Sequence, residues 1–162
     1  MQPSLRAPKN LVNRRAIWYW TVRDLPGWLV LIVIQIVWWV GDGGNNSWHA
    51  GFLAATTLVA VTHILVMPQW RYRVHRWETT DEAVYTQTGW FTQERRIAPI
   101  SRIQTVDLHR GPLEQVFRLA NVTVTTASAA GPLKIHGLGR DLAERLVHEL
   151  TTVTQATTGD AT

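Results

Sequence analysis

Seven arginines stand where they can meet phosphate. Arg14 and Arg15 precede one uncharged apolar run, Arg71, Arg73 and Arg76 follow a second, and Arg95 and Arg96 sit side by side further on. A guanidinium presents a planar fork of donors that matches phosphate oxygens, so these residues are the candidates for lipid phosphate contacts. Histidine is the other side chain with chemistry near neutral pH. His75, His109 and His136 fall on separate segments at no metal-ligand spacing, and the chain has no cysteine. No metal site, disulfide or thiol nucleophile is therefore expected. G-x-S-x-G, H-E-x-x-H and P-loop patterns are absent. His136-Gly137-Leu138-Gly139 lacks the dinucleotide fingerprint and reads as a strand end followed by a helix entry. The expectation is a protein with no cofactor and no catalytic residues. His63 lies in an apolar run without an acidic partner at its depth; it reads either as a proton site or as a neutral, hydrogen-bonded side chain.

The elements that position these residues begin with two uncharged runs. Residues 25–40 (LPGWLVLIVIQIVWWV) contain one polar side chain, Gln35, and residues 43–70 contain no Asp, Glu, Lys or Arg. A membrane-spanning helix takes about 20 mostly apolar residues and satisfies its own backbone in lipid. The sequence thus predicts a two-helix transmembrane hairpin over 24–69, with helices at about 24–42 and 48–67 and an outer loop at 42–47. Seven of the nine tryptophans lie at or near the ends of these runs, where amphipathic rings prefer the headgroup layer. The loop GDGGNNS carries no Lys or Arg, whereas basic residues flank both outer ends. This predicts a multi-pass protein of the cell membrane with both termini cytoplasmic. The first run lacks a small-residue cleavage site, so a cleaved signal peptide is not expected. Asp24-Leu25-Pro26 reads as the first helix start. Gly51, Ala54, Ala55 and Ala60 give the second helix a small-residue face suited to close packing. Residues 1–23 form a basic arm; within it, 10–22 either lies in the interface or extends the first span.

The net charge of +4 resembles that of a nucleic-acid binder until its distribution is read. Residues 1–24 hold five Lys/Arg and one acid, while residues 71–162 hold eleven Lys/Arg and ten acids. The excess suits topology and anionic lipid, and no basic stripe for nucleic acid is evident. From residue 71 onward the pattern changes to alternating strands: 71–78, 83–88, 91–97, 102–109, 121–127 and 133–138, with a short helix opened by Gly111-Pro112. On the fourth of these, Arg102, Gln104 and Asp107 either pair across the sheet or face a partner. A last helix from about 140 to 153 carries Leu142, Leu146, Val147, Leu150 and Val153 on one stripe, fit to cover the open end of a curled sheet. Residues 157–162 are expected to form a disordered tail.

The stretch RIQTVDLHRGPLEQVFRLANVTVTTAS, residues 102–128, resembles the signature of bacterial PH (pleckstrin-homology-like) domains of the YdbS-like membrane protein family. The matching parts are Arg102-Ile103-Gln104, Val106-Asp107, Gly111-Pro112-Leu113, Phe117, Leu119-Ala120, Thr123-Val124 and Thr126-Ala127. WRYRVHRWETTDEAVYTQTGW, residues 70–90, also fits, and so does the order of basic arm, two spans and β-rich domain. Arg118 departs from the pattern, which has glycine after the phenylalanine. The resemblance implies a mainly-β PH-like split barrel over 70–156 on the cytoplasmic side, closed by the C-terminal amphipathic helix. It implies a non-enzymatic interaction or assembly module, with Arg102, Gln104, Asp107, Gly111, Pro112 and Leu113 as its motif surface. The implied partners are membrane lipids and either a larger membrane protein with repeats of the same domain or a second copy. The implied setting is envelope stress or resistance to antimicrobial peptides. Binding and sensing of anionic lipid headgroups is the alternative reading.

Overall fold

The computed structural model describes residues 7–43, 47–89, 92–128 and 131–159. The two uncharged runs form helices α1 (Arg15–Gly41) and α2 (Ser47–Val74). At 1.5 Å per residue each is about 40 Å long, more than the roughly 30 Å hydrocarbon core. Both are long and apolar enough to cross a membrane. Leu29, Val33, Ile34, Val37, Leu58 and Leu65 are all exposed along them, a surface suited to lipid rather than water. Between the helices, Gln35 Nε2 donates to Thr56 Oγ1 at 2.8 Å and Trp28 Nε1 donates to His63 Nδ1 at 3.2 Å. An indole N–H can only donate, so Nδ1 of His63 is the acceptor in this bond between the two helices. Of the predicted small-residue face, Ala60 is buried, whereas Gly51, Ala54 and Ala55 are exposed.

Two boundaries differ from the sequence reading. Helix α1 does not start at Asp24; it starts at Arg15, and Pro26 lies inside it. Asn13 Oδ1 accepts from the Arg15 N–H at 3.0 Å and satisfies one of the first-turn donors. Of the two readings of residues 10–22, continuous helix into the first span holds from Arg15 onward. Before it lies a two-residue strand, β1 (Asn10–Leu11). Helix α2 likewise runs through Pro68 to Val74, so Arg71 and Arg73 lie on a helix, not on the predicted strand. The alternation of Tyr72 and Val74 spans too few residues to stop a helix that continues from the long apolar run. The outer loop falls partly outside the described residues, at 44–46.

The rest is antiparallel sheet. Strand β2 (Arg76–Thr79), β3 (Ala83–Thr88) and β4 (Glu94–Pro99) join β1 in one sheet of order β1-β2-β3-β4. A single 3-10 turn, Ile100–Arg102, leads to the second sheet, β5 (Ile103–His109), β6 (Leu119–Thr126) and β7 (Leu133–Gly139), in the order β5-β6-β7. Helix α3 (Pro112–Val116) connects β5 to β6, with proline at its tolerated first position. The fold is PH-like with the barrel left open: the two sheets form separate hydrogen-bonded sets. Helix α4 (Arg140–Gly159) buries Ala143, Leu146 and Leu150 against the core, and Leu142 and Val153 stay at its rim. It also runs past the predicted end. Of the expected tail 157–162, residues 157–159 continue the helix and 160–162 lie outside the described residues.

The core contains Leu119, Leu138, Leu150, Val84, Val122 and Val124, all fully buried. Val12, Ala16 and Trp20, from the chain entering the hairpin, belong to the same cluster. Gly137 makes this possible. It adopts φ +72 and its missing Cβ would stand 3.1 Å from Ala16 Cβ, so α1 lies directly on the β7 backbone. The Asn13 N–H donates to the Gly137 carbonyl at 2.8 Å, and the Gly137 N–H donates to Asn121 Oδ1 at 3.0 Å. The predicted strand end at His136-Gly137-Leu138-Gly139 is thus the place where the hairpin docks. Arg118, the departure from the family pattern, is the described non-glycine residue with positive φ, at 53°. It sits just past α3, where glycine is favoured.

Candidate functional site

The base of the hairpin and the domain enclose a polar cleft. A cavity of about 450 Å³ lies between α1, α2, α3, β6 and β7; Tyr19, Arg23, Arg71, His75, Glu114 and His136 line it with Trp20, Asn121, Gly89 and Gly137. A second cavity of about 470 Å³ shares His75 and His136 and continues along the gap between the sheets, past Thr86, Thr88, Glu94, Arg96, Pro132 and Lys134.

Glu114 ties one wall together. Its Oε1 accepts from Tyr19 Oη at 2.8 Å and from Asn121 Nδ2 at 3.2 Å. Glu114 is the third residue of α3, counted from Gly111 at the N-cap, and its carboxylate folds back over Gly111. A Cβ on Gly111 would lie 2.5 Å from Glu114 Oε2. Burial pushes the Glu114 carboxyl up, but hydrogen bonds from Tyr19, the Glu114 and Gly111 backbone and Asn121 outweigh it and hold the group below the usual carboxylate range. Burial, then the bond to Glu114, pushes the Tyr19 hydroxyl up. Gly111 and Pro112 therefore act in part by placing Glu114, which fastens α1 to the domain.

The opposite wall is cationic and aromatic. The Arg71 guanidinium lies 5.5 Å from the Trp20 ring centre, and that of Arg23 lies 5.9 Å from the Tyr19 ring centre. Burial lowers the Arg71 pKa, with the charge of Asp24 opposing the shift. The His75 ring packs on Trp20 at 5.3 Å. Its Nδ1 lies 2.8 Å from the Arg71 carbonyl, which can only accept, so Nδ1 carries the proton and Nε2 is left for the cleft. Burial, then the charge of Arg71, lowers the His75 pKa; burial, then the charges of Lys134 and Arg23, lowers that of His136. His136 keeps surface open to the cleft, yet enough protein surrounds it for burial to lead.

The arginines singled out from sequence do not form one surface. Arg14, the N-cap of α1, and Arg15, its first residue, are exposed, and Arg73 is exposed on the last turn of α2. Arg76 opens β2, and its Nε lies 3.4 Å from the Arg73 carbonyl. Arg95 Nε donates to Gln87 Oε1 at 3.1 Å. Arg96 donates to the Pro132 and Gly131 carbonyls at 2.7 and 3.0 Å and pairs with Glu94 at 3.6 Å, so it fastens β4 to the approach to β7. Arg71 and Arg96 line the cleft, together with Arg23, Lys134, His75, His136 and Glu114, which sequence reasoning did not assign to a site. One signal for Glu114 was present: glutamate three residues after a helix N-cap is half of a capping box. The other residues come from separate elements at no characteristic spacing. The motif residues Arg102, Gln104, Asp107, Pro112 and Leu113 are exposed, and Gly111 is half-buried. Thr105 Oγ1 lies 3.2 Å from Asp107 Oδ2 on the outer face of β5. Among the described residues no cluster of His, Asp and Glu is arranged to hold a metal.

Two long apolar helices, two antiparallel sheets and a covering helix define a membrane-associated PH-domain protein. The sequence model of the bacterial PH domain matches residues 21–153, and the chain belongs to that family. It is similar to the UPF0699 transmembrane protein YdbS of Bacillus subtilis (strain 168), with 28% identity over 156 residues, 94% of this chain and 97% of that protein. No solved structure gives a significant match.

Proposed function

We propose that the protein crosses the cell membrane twice, keeps both termini in the cytoplasm, and uses its PH-like domain as a non-enzymatic interaction and assembly module at the inner leaflet. One observation carries this reading. Val12, Ala16 and Trp20, which lead into the first apolar helix, are part of the domain core, so the domain is held in a fixed pose against the hairpin. Such a pose suits recognition of a partner in the same membrane. The 3-10 turn, β5 and α3 offer the partner surface: Arg102, Gln104, Asp107, Leu113 and Val116 are exposed along it, Val116 at 75%. The partner is a larger membrane protein with repeats of the same domain, or a second copy, and the setting is envelope stress or resistance to antimicrobial peptides. Purification in mild detergent tests this. A stoichiometric partner or a homo-oligomer, lost in Asp107→Arg and Val116→Asp variants that unfold at the wild-type temperature, is the expected result. A wild-type protein that is monomeric and partner-free contradicts it.

Contact with anionic headgroups is a second reading, favoured by the exposure of Arg73, just past the second apolar run, and of Arg14 and Arg15 on the helical approach to the first. Each basic residue near an anionic surface contributes about 1 kcal/mol. Phosphatidylglycerol retained through purification should fall when all three become glutamine; unchanged retention contradicts this reading.

A further inference from the structure

The cleft has a cation that feels the charge of Asp24 but has no salt-bridged counterion among the described residues. Arg71 is half-buried against Trp20, and among the described residues no side chain or carbonyl accepts a hydrogen bond from its guanidinium. A desolvated charge left this way is costly unless something else pairs with it. Arg23, on the neighbouring helix, lies against the Tyr19 ring and makes a 3.7 Å contact to Asp24 with a side chain 51% exposed, an ion pair of little strength. His136 has no hydrogen-bond partner among the described residues, and His75 keeps Nε2 free. Position adds to chemistry. Trp70 directly precedes Arg71, and Arg23 stands two residues before the first apolar run. At 1.5 Å per helical residue, both lie within about 3 Å of where the uncharged segments end, at headgroup depth if the hairpin spans the membrane.

We propose that this cleft binds a phosphate ester, with Arg71 and Arg23 as its charge partners and His75 and His136 as hydrogen-bond donors that take up protons when it binds. This deepens the headgroup reading by replacing diffuse contact with one built site. The groups facing the ligand are Tyr19 and Arg23 from α1, Arg71 from α2, His75 just past its end, Glu114 from α3 and His136 and Lys134 from β7. Glu94 and Arg96 of β4 face the far end. Glu114 and Glu94 are the acids among them, and Asp24, beside Arg23 on α1, adds a negative charge that acts on Arg71 from outside the lining. The acceptor Oε1 of Glu114 is already taken by Tyr19 and Asn121, and Glu94 is paired with Arg96; the near cavity is lined by two guanidiniums against the one carboxylate of Glu114, and it is Arg71 that has donors left to give. Burial and cationic neighbours disfavour the charged form of both imidazoles. An anion reverses that balance and favours imidazolium. Binding strengthens as pH falls through about 6.5, the ordinary histidine value.

The test uses the full-length protein in neutral detergent micelles, with the six histidines observed by NMR and assigned by single His→Gln variants. Short-chain phosphatidylglycerol and inorganic phosphate are titrated separately. Saturable shifts of the His75 and His136 signals, with both pKa values raised in the bound state, are expected. Arg71→Gln should weaken binding about tenfold or more, the scale of one charge-assisted hydrogen bond, while Arg95→Gln, outside the cleft, should leave it unchanged. Phosphatidylglycerol acting at far lower concentration than phosphate identifies a lipid source; equal potency identifies a soluble phosphate. If neither ligand moves His75 and His136, or if Arg71→Gln and Arg95→Gln behave alike while both stay folded, the cleft is not a phosphate site. Loss of diffuse lipid retention in the Arg14, Arg15 and Arg73 variant would leave this titration intact, so the two failures are distinguishable. Lys134→Gln, at the cleft rim, provides a second variant should Arg71→Gln fail to fold.

Discussion

In the helical hairpin, Leu29, Val33, Val37, Leu58 and Leu65 face outward, and the helices meet through Gln35 to Thr56 and Trp28 to His63. In the sheet domain, Leu119, Leu138, Val84, Val122 and Val124 face inward. The two regions have inverted polarity, which is what two solvents produce. In lipid, apolar burial gives no net drive, and small residues and hydrogen bonds hold helices together. In water, the drive comes from apolar area removed from solvent, at roughly 25 cal/mol per Å². The joint between the regions belongs to the second regime, because Val12, Ala16 and Trp20 are buried with the sheets.

The contrast can be broken most forcefully in the core. Leu138→Ala should destabilise by about 2–5 kcal/mol, whereas Leu58→Ala, at a side chain 69% exposed, should change stability by less than about 1 kcal/mol. Denaturant titration in micelles reads both; equal losses would dissolve the distinction. Gly137→Ala attacks the joint. The φ of +72 disfavours any Cβ, and Ala16 stands 3.1 Å from where it would be. A loss of about 2 kcal/mol is expected, with faster hydrogen exchange at Asn13, whose amide is bonded to residue 137. Protection unchanged there would mean that the hairpin is not anchored through this contact. Arg118→Gly should act the other way, stabilising by up to about 1 kcal/mol by relieving φ 53; a loss would mean that the arginine side chain matters more than the strain. The smallest effect is with pH. His75 and His136 are lowered in the folded protein, so the unfolded chain binds more protons below about 6.5. In anion-free micelles stability should be full above that value and decline as pH falls through it. His136→Gln should flatten the decline, as melting temperature against pH would record.

Long periodic segments made much of this fold legible in sequence. The two uncharged runs, the alternating strands and the apolar stripe of the last helix each repeat one signal over many residues. Short-range choices were less legible. Pro26 reads as a helix start because proline is favoured in a first turn, yet the preceding residues are held helical by packing of Ala16 and Trp20 on the sheet, a tertiary effect with no local trace. Residues 71–74 alternate like a strand, but the continuing α2 helix overrides so short a signal. The cleft was the least legible feature. Arg71 stands out in sequence for its proximity to an apolar run, but the other cleft residues, Arg23, Glu114 and His136, come from α1, α3 and β7. Glu114 alone carried a local signature. The departure at Arg118 was visible as a broken pattern, and it coincides with a left-handed backbone.

The placement of the hairpin can be measured directly because the chain has no cysteine of its own. Single cysteines introduced at Ser47, at the start of α2, and at Glu149, exposed on α4, can be challenged in intact cells with a thiol reagent that does not cross membranes. The Ser47→Cys protein should react in intact cells, and the Glu149→Cys protein only after the cells are opened. Labelling of the α4 cysteine from outside, or of neither position until lysis, would contradict a membrane-crossing hairpin with its domain at the inner face.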